Sequence, residues 1–489
     1  MTTGSGGARG GPRSRSTANG YRRFRRSTVA VLGILALAAA GLGAAAVLRG
    51  PKLDAGSVNA QSVISRAGQK LVLHADQALA PVDASQVEVT PATPFTVEST
   101  GADVQITFTG VLDYATAYSI RVDDVEGSAT GLRGALDYDF TTPDVDVTTL
   151  LRRGGLAAGA DKPTDQIVRS KLTAGDGAGS EVVFEAPRIQ QFQVVPGALA
   201  VVELDEQGAS SLVVSVEGAD GASTGGTVFT PAGGRIQNLH ASVSAGLFGY
   251  TVNGGEDAVT GRSYQNTLFV FDPKSVSGKA EEVTGFGGEP LRVVDWQFVP
   301  GSSSIVAQST DQQLYLLDPI GGAEPVPLGQ HSEMRDFLAG GLQLVVADPA
   351  GTSTIDLSTG QVAPLVQDAP DVDPALYPGA IVTLASGATV RQYDEVDYSS
   401  AAPVQNSVIV YADDAGTREL YRPASQGARI RGFCVSPNGQ YLAVETIASG
   451  AVTDGYPLPG YSEMTTTFVQ IASGTVTRSV PGFLPDWCA

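Results

Sequence analysis

The stretch that decides the fold is Phe433-Cys434-Val435-Ser436-Pro437-Asn438-Gly439-Gln440-Tyr441-Leu442-Ala443-Val444. Apolar residues flank a Ser-Pro-Asn-Gly run of turn formers, which predicts two short strands joined by a tight turn. The stretch begins with an aromatic residue, and an aromatic or large apolar residue recurs at the equivalent position along the chain. We call these residues the anchors: Phe192, Leu239, Trp296, Phe337, Phe433 and Trp487. Neighbouring anchors are 41 to 57 residues apart, except for a double step of 96 residues between Phe337 and Phe433.

Each full repeat contains three more strands after the strand of its anchor. They are clearest in the repeat of Trp296, where they cover residues 304–307, 314–319 and 326–328. Four strands in a repeat of this length are typical of one blade of a β-propeller, which is a ring of small sheets. The double step hides a divergent unit, so six units begin near Ile189, Ile236, Val293, Met334, Gly379 and Ile430.

The repeat resembles the blades of TolB-like and WD40-like propellers, most clearly in residues 433–444. The Trp-Asp and Gly-His pairs of strict WD40 proteins are absent from the sequence. The resemblance extends over residues 144–489, which we assign to a β-propeller. It implies an all-β ring of sheets, one face of which binds other molecules.

The two ends of this region supply one more unit. Residues 166–172 and 181–184 are predicted outer strands without an inner strand, whereas residues 483–488 are a predicted inner strand without outer ones. Propellers commonly close their ring by letting both chain ends share one blade, which removes exposed sheet edges. The sequence therefore predicts seven blades, with six as the alternative if the closing unit has another form.

The chain has two cysteines, Cys434 and Cys488, and each follows an anchor directly. Equivalent positions on the inner strands of adjacent blades lie at the same height, so the two sulfur atoms can meet. We predict a disulfide that joins the last strand to its neighbour in an oxidising compartment. The alternative is a pair of buried free thiols.

The N-terminus has the features of a membrane anchor. Residues 1–53 hold nine basic side chains and no acidic one, and Ser27–Leu48 is a run of 22 uncharged, mostly apolar residues. This run is long enough to cross a bilayer as a helix, and the preceding arginines place the N-terminus in the cytoplasm. We predict a disordered basic tail at 1–26, one transmembrane helix at 27–48 and an extracytoplasmic remainder. Cleavage near Ala44-Ala45-Ala46, which would release a secreted protein, is the alternative.

Residues 57–143, after a predicted linker at 49–56, alternate apolar and polar residues in short runs. Val104, Ile106 and Phe108 share one face of such a run, and Tyr118 and Ile120 share one face of the next. Together with the runs Leu79-Ala80-Pro81 and Phe140-Thr141-Thr142-Pro143, this segment resembles the bacterial immunoglobulin-like domains of surface-layer and cell-envelope proteins. The resemblance implies a β-sandwich that serves as a spacer or adhesive module without an active site.

Markers of catalysis are missing from the sequence. It contains no phosphate-binding Gly-x-x-x-x-Gly-Lys loop and no His-Glu-x-x-His pair, and we predict no catalytic, cofactor-binding or metal-binding residue. The rival hypothesis is an envelope enzyme, a glycan hydrolase or lyase, with Asp295, Asp336 and Asp486 at the mouth of the propeller channel. We expect these acids to form structural hydrogen bonds instead. Aromatic residues in the segments 393–398 and 455–461 are candidates for contact with a partner, and packing between strands is the alternative.

The charge of the chain limits its partners. After residue 53 there are 22 basic and 51 acidic residues, and such a surface repels nucleic acid. The sequence therefore predicts a membrane-anchored extracytoplasmic binding or scaffold protein of the bacterial cell envelope. Its propeller face would bind a protein, a peptide or a polysaccharide.

Overall fold

The computed structural model describes residues 28–34, 49–153, 163–173, 179–218, 223–275, 279–338, 340–365, 372–397 and 404–488. The chain forms two compact units, Met1–Pro143 and Asp144–Ala489. The predicted tail at 1–26 lies outside the described residues, as does most of the predicted span, of which residues 28–34 are helical. Within the described ranges, every helix is too short or too polar to reach across a bilayer.

The first unit contains two antiparallel sheets, with strand orders β1-β2-β5-β4 and β3-β6-β7. Its elements are β1 Leu53–Val58, the helix α1 Ala60–Val63, β2 Lys70–Ala75, a 3-10 helix Ala84–Gln86, β3 Val87–Thr90, β4 Phe95–Thr100, β5 Asp103–Phe108, β6 Ala117–Glu126 and β7 Arg133–Thr141.

Alternation of apolar and polar residues explains these strands. Val104, Ile106 and Phe108 are fully buried on one face of β5, and Ile120 is fully buried on β6. The predicted linker at 49–56 was too long, because β1 begins at Leu53 and pairs with β2. Neither face of β1 is fully buried, and its sequence does not show the alternation of apolar and polar residues that marks the other strands. The strand was therefore not recognised from the sequence.

The second unit consists of seven antiparallel sheets in series along the chain, six with four strands and one with three. The strands are, sheet by sheet, β8 Asp146–Leu151, β9 Asp165–Lys171 and β10 Glu181–Ala186; β11 Ile189–Val195, β12 Ala198–Leu204, β13 Ser210–Glu217 and β14 Ser223–Val228; β15 Arg235–Ser242, β16 Leu247–Asn253, β17 Thr267–Phe271 and β18 Glu281–Glu282; β19 Val293–Phe298, β20 Ile305–Ser309, β21 Gln313–Leu317 and β22 Val326–Gln330; β23 Glu333–Phe337, β24 Gln343–Asp348, β25 Gly351–Asp356 and β26 Val362–Pro364; β27 Tyr377–Thr383, β28 Thr389–Asp397, β29 Val404–Asp413 and β30 Gly416–Tyr421; β31 Arg429–Val435, β32 Tyr441–Ile447, β33 Thr465–Gln470 and β34 Val476–Pro481. Two 3-10 helices, Phe286–Gly288 and Asp486–Cys488, complete the unit.

Both chain ends of this unit meet at the three-stranded sheet. Phe483 and Leu150 exchange backbone hydrogen bonds of 2.8 and 3.0 Å, so the segment after the seventh sheet pairs with β8 of the first. The predicted inner strand at 483–488 is wrong beyond this bridge, because the chain turns into the 3-10 helix Asp486–Cys488. Leu484 has a φ of 51° and Pro485 has no N–H to donate, so neither residue can continue a strand.

Apolar layers between successive sheets form the core of the ring. Three anchors are buried in these layers, since Phe192 and Leu239 are each 3% exposed and Trp296 is 0% exposed. Phe337 and Phe433 are partly buried in the next layers along the ring. The layer around Phe192 also contains residues of the first and last sheets, and it therefore supports the closure.

Glutamine amides join neighbouring sheets through hydrogen bonds. Gln190 donates to the carbonyl of Ile236 at 3.0 Å, which links the second sheet to the third. Gln297 donates to Arg335 in the same way, and so does Gln392 to Ile430. These bonds satisfy carbonyl groups at the crowded inner side of the ring, where sheet hydrogen bonds end.

The structure contains the predicted disulfide. Cys434 lies on β31 and Cys488 ends the last 3-10 helix, and their Cα atoms are 5.3 Å apart. The ring of Trp487 packs edge-on against Phe468, with 5.3 Å between the ring centroids. The C-terminal segment is thus fixed by one covalent bond, one aromatic contact and the bridge to β8.

Candidate functional site

One end of the ring carries the longest loops of the second unit. In a four-stranded antiparallel sheet, the link from the second to the third strand lies at the same end as the link to the next sheet. Residues 254–266 and 448–464 are links of the first kind, and we call the end of the ring that bears them the loop face. Long ordered loops without secondary structure are uncommon, and many of them bind ligands or partners.

A buried arginine holds the loop 448–464 in place. The side chain of Arg152, which follows β8, is 2% exposed and donates to Asp454 at 2.7 Å and to the carbonyl of Leu458 at 2.9 Å. It also donates to the carbonyls of Ile189 and Gln190 at the start of the second sheet. Burial lowers the pKa of Arg152, and the neighbouring Asp454 opposes that change. The guanidinium therefore joins the first, second and seventh sheets.

Asp165 forms a second buried contact beneath the same loop. Its carboxylate is 0% exposed and accepts hydrogen bonds from the backbone N–H groups of Arg153 and Ile189 and from the hydroxyl of Tyr456. Burial and the adjacent carboxylate raise the pKa of Tyr456. The ring of Tyr456 also lies 3.9 Å from the Arg152 guanidinium, so this loop residue is clamped between two charged groups.

For Tyr456 and Tyr393 these contacts favour the alternative of packing over an exposed site for a partner. Tyr456 is 4% exposed and Tyr393 is 3% exposed, whereas Tyr398 lies outside the described residues. Tyr393 belongs to β28 and packs against Val408 and Val410 of the neighbouring strand. The sequence could not show this burial, because the partners of Tyr456 are about 300 residues away in the chain.

A groove of about 360 Å³ adjoins the loop 448–464 on the loop face. Its lining consists of Gln405, Gly427, Arg429, Ile447, Ala448, Ser449, Gly450 and Ala451. The guanidinium of Arg429 lies 5.2 Å from the ring centroid of Tyr461, which belongs to the same loop. Because the lining combines one cation with amide, hydroxyl and backbone groups, the groove can bind a polar ligand.

The three acids of the rival enzyme hypothesis form hydrogen bonds with the backbone. Asp295 accepts from the N–H of Trp296 at 2.9 Å, Asp336 from Phe337 at 2.7 Å and Asp486 from Thr148 at 3.1 Å. Desolvation by the surrounding protein atoms raises the pKa of each of these carboxyls. Among the described residues, no three His, Cys, Asp or Glu side chains converge as metal ligands would.

Asp295 and Asp336 are close to a β-bulge that recurs in the first strand of six sheets. In five of them the pairing register shifts just before, at or across the anchor, at 189/191, 237/240, 293/295, 334/337 and 430/432. The sixth sheet, which has no anchor, shows the shift at 378/381. The sequence contains a signal for this bulge that the strand assignment missed. Ile189 and Phe192 are both buried although they are three residues apart, whereas a regular strand would place them on opposite faces.

His240 is the histidine nearest to an anchor. Its ring meets the indole of Trp296 edge-on, with 5.0 Å between the ring centroids. Burial lowers the pKa of His240 to about 4, so the imidazole is neutral at physiological pH. The residue therefore packs as an uncharged ring between the third and fourth sheets.

The titration of Asp486 provides a test of its burial. Its pKa is raised to about 6, mainly by desolvation, so the folded protein retains a proton that the unfolded chain releases near pH 4. The contribution of this protonated carboxyl to the unfolding free energy is complete below about pH 4, and it is lost as the pH rises through about 6. Wild-type protein should lose roughly 2 to 3 kcal/mol more unfolding free energy between pH 4 and pH 7 than the variant Asp486→Asn. Urea unfolding at both pH values measures this difference, and equal losses would contradict the assignment.

Similarities to solved structures are distant. The dihydro-heme d1 dehydrogenase NirN in complex with DHE is 13% identical, with a TM-score of 0.39 over 69% of this chain and 74% of that one. The β-propeller domain of Cps50 (Swd1) from Myceliophteria thermophila is 11% identical, with a TM-score of 0.33 over 61% and 87%. Apo AztD from Citrobacter koseri is 10% identical, with a TM-score of 0.36 over 70% and 84%. No protein-family model matches the sequence, and no curated protein matches it.

The class of the second unit follows from its own topology. Seven consecutive antiparallel sheets, with the chain end paired to the first of them, define a β-propeller. The chain is thus an all-β protein whose larger unit is a propeller closed by its two chain ends and by a disulfide.

Proposed function

We propose that this chain is a membrane-tethered extracytoplasmic binding protein of the bacterial cell envelope, whose propeller binds a partner protein on the loop face. The observation that carries the proposal is the loop 448–464, which is long, ordered and held from below by buried Arg152. Such a loop costs little additional entropy when a partner binds, because its conformation is already restricted. The groove beside Arg429 supplies a concave surface next to it.

The disulfide supports an extracytoplasmic location for the propeller. Structural disulfides persist in oxidising compartments and are rare in the cytosol. The bond between Cys434 and Cys488 secures the closure of the ring, so its reduction would weaken the fold. Residues 27–48 would attach the protein to the membrane with the N-terminus in the cytoplasm, and cleavage of this segment would instead release a secreted protein.

The first unit would act as a spacer between the membrane and the propeller. Its two antiparallel sheets fit an immunoglobulin-like sandwich. Its exposed ion pairs, such as those of Arg121 with Asp123 and Asp137, are ordinary surface features. We assign no ligand to this unit.

A binding role accounts for the acids better than catalysis does. Asp295 and Asp336 each accept a hydrogen bond from the next residue in the chain, and Asp486 fixes the end of the ring to β8. A general acid or base must reach its substrate, whereas these carboxyls support the bulges and the closure. We therefore propose that the protein is not an enzyme.

Site-specific photo-crosslinking in intact cells tests the loop face. Ser449 is exposed on this face. Ser386 is also exposed, but it lies in the turn between β27 and β28, at the other end of the ring. A photoreactive amino acid at position 449 should give a discrete crosslinked product, and the same residue at position 386 should give none. Products from position 386 alone, or equal products from both positions, would contradict the proposal.

A further inference from the structure

A basic residue occupies the same repeat position in four sheets. Arg188, Arg235, Arg292 and Arg429 each precede the buried apolar residue that begins the core of the first strand. Their register is equivalent, since Arg235 pairs with Asn253 and Arg429 with Ile447, the last residues of the second strands. Because the second strands end at the loop face, this position lies at that face of the propeller.

Six of the fourteen arginines of the propeller are neutralised by carboxylates of the chain. Ion pairs with carboxylates occupy Arg152, Arg169, Arg262, Arg335, Arg422 and Arg431. Among the described residues, Arg429 has no ion pair with a carboxylate, although the sequence contains 51 acidic residues. An anion stabilises a partly buried guanidinium. Within the described chain, no carboxylate supplies that anion to Arg429.

Arg429 differs from the equivalent arginines in its surroundings. It lines the groove of about 360 Å³, and the ring of Tyr461 restricts its guanidinium at a distance of 5.2 Å. Tyr461 belongs to the loop that Arg152 and Asp454 hold in place. The guanidinium is therefore oriented before a ligand arrives, and this order reduces the entropy lost on binding. Arg235, in contrast, does not line this groove.

We propose that this groove binds a carboxylate of an acidic peptide segment, with Arg429 as the residue that recognises the charge; this inference rests on the proposed binding function. A guanidinium can hold a carboxylate through two parallel hydrogen bonds. The neighbouring Gly427, Ala448 and Gly450 leave backbone groups accessible to an extended peptide. None of the lining residues is aromatic, so the groove lacks the flat apolar ring on which a sugar stacks.

A pair of matched peptides tests the proposal on the full-length protein. The probes are rhodamine-labelled Ala-Ala-Glu-Ala-Ala amide and the same peptide with Gln in place of Glu, and binding is followed by fluorescence anisotropy. The wild-type protein should prefer the Glu peptide by about tenfold, since one charge-assisted contact is worth about 1.4 kcal/mol. The variant Arg429→Gln should lose this preference, Arg429→Lys should retain part of it, and Arg235→Gln should retain all of it.

Three results would overturn the inference. They are an unchanged preference in Arg429→Gln, an equal loss in Arg235→Gln, and competition by a uronic-acid disaccharide as strong as that of the Glu peptide. The crosslinking experiment separates this failure from that of the proposed function. If the product from position 449 persists in Arg429→Gln and the peptide preference is absent, the loop face binds a partner by other contacts. If no product forms at position 449, the proposed function itself fails.

Discussion

The variant Arg152→Met is expected to unfold with a free energy about 3 to 5 kcal/mol below that of the wild-type protein. The substitution leaves Asp454, whose side chain is 8% exposed, as a buried charge without its cation. It also removes the donors for the carbonyls of Ile189 and Leu458, and each unpaired buried acceptor costs stability. Urea or thermal unfolding followed by circular dichroism measures the change.

Two controls make this prediction specific. The pair of Arg169 with Glu181 has a similar distance of 2.9 Å, but its side chains are 42% and 67% exposed, so Arg169→Met should cost less than about 1 kcal/mol. The double variant Arg152→Met/Asp454→Leu should recover part of the loss, because no charge remains buried without a partner. A loss in Arg152→Met no larger than that in Arg169→Met would refute the role of Arg152 as the link between the chain ends.

Removal of the disulfide is the second large effect. The double variant Cys434→Ser/Cys488→Ser should lose about 4 kcal/mol of unfolding free energy, because the bond closes a loop of 54 residues that contains nearly the whole seventh sheet. Without it, the C-terminal segment is held by the bridge from Phe483 to Leu150 and by a few side-chain contacts. The prediction is checked by urea unfolding under oxidising conditions.

Chemical reduction provides the internal control for the disulfide. Dithiothreitol should lower the stability of the wild-type protein to that of the double serine variant and should leave the variant unchanged. If reduction and substitution each shift the unfolding midpoint by an amount equivalent to less than about 1 kcal/mol, the closure relies on packing alone.

Much of the propeller could be predicted because its information is local. The turn Ser-Pro-Asn-Gly before Tyr441 and the periodic anchors describe units of four strands, and each unit contacts mainly its neighbours. The disulfide between Cys434 and Cys488 was predicted correctly, but the strand geometry assumed for it was not, because Cys488 ends a 3-10 helix. The divergent sixth sheet was located from its position in the series, although its first strand Tyr377–Thr383 has no anchor.

Other features were beyond sequence reasoning. The strand β8, Asp146–Leu151, was missed because four of its residues in a row are buried, so it shows no alternation. The burial of Tyr456 depends on Asp165, and the loop that contains it depends on Arg152, at separations of 291 and 302 residues. No local pattern encodes contacts between residues so far apart.

The sequence by itself determined the repeat, the order of the sheets and the positions of the anchors, because repetition turns each of them into a short-range property. Only the tertiary structure decided how the ring is closed and which residues border the groove on the loop face. The physical reason is that Arg152, Asp165 and Asp454 acquire their partners, and their burial, only when the two ends of the propeller meet.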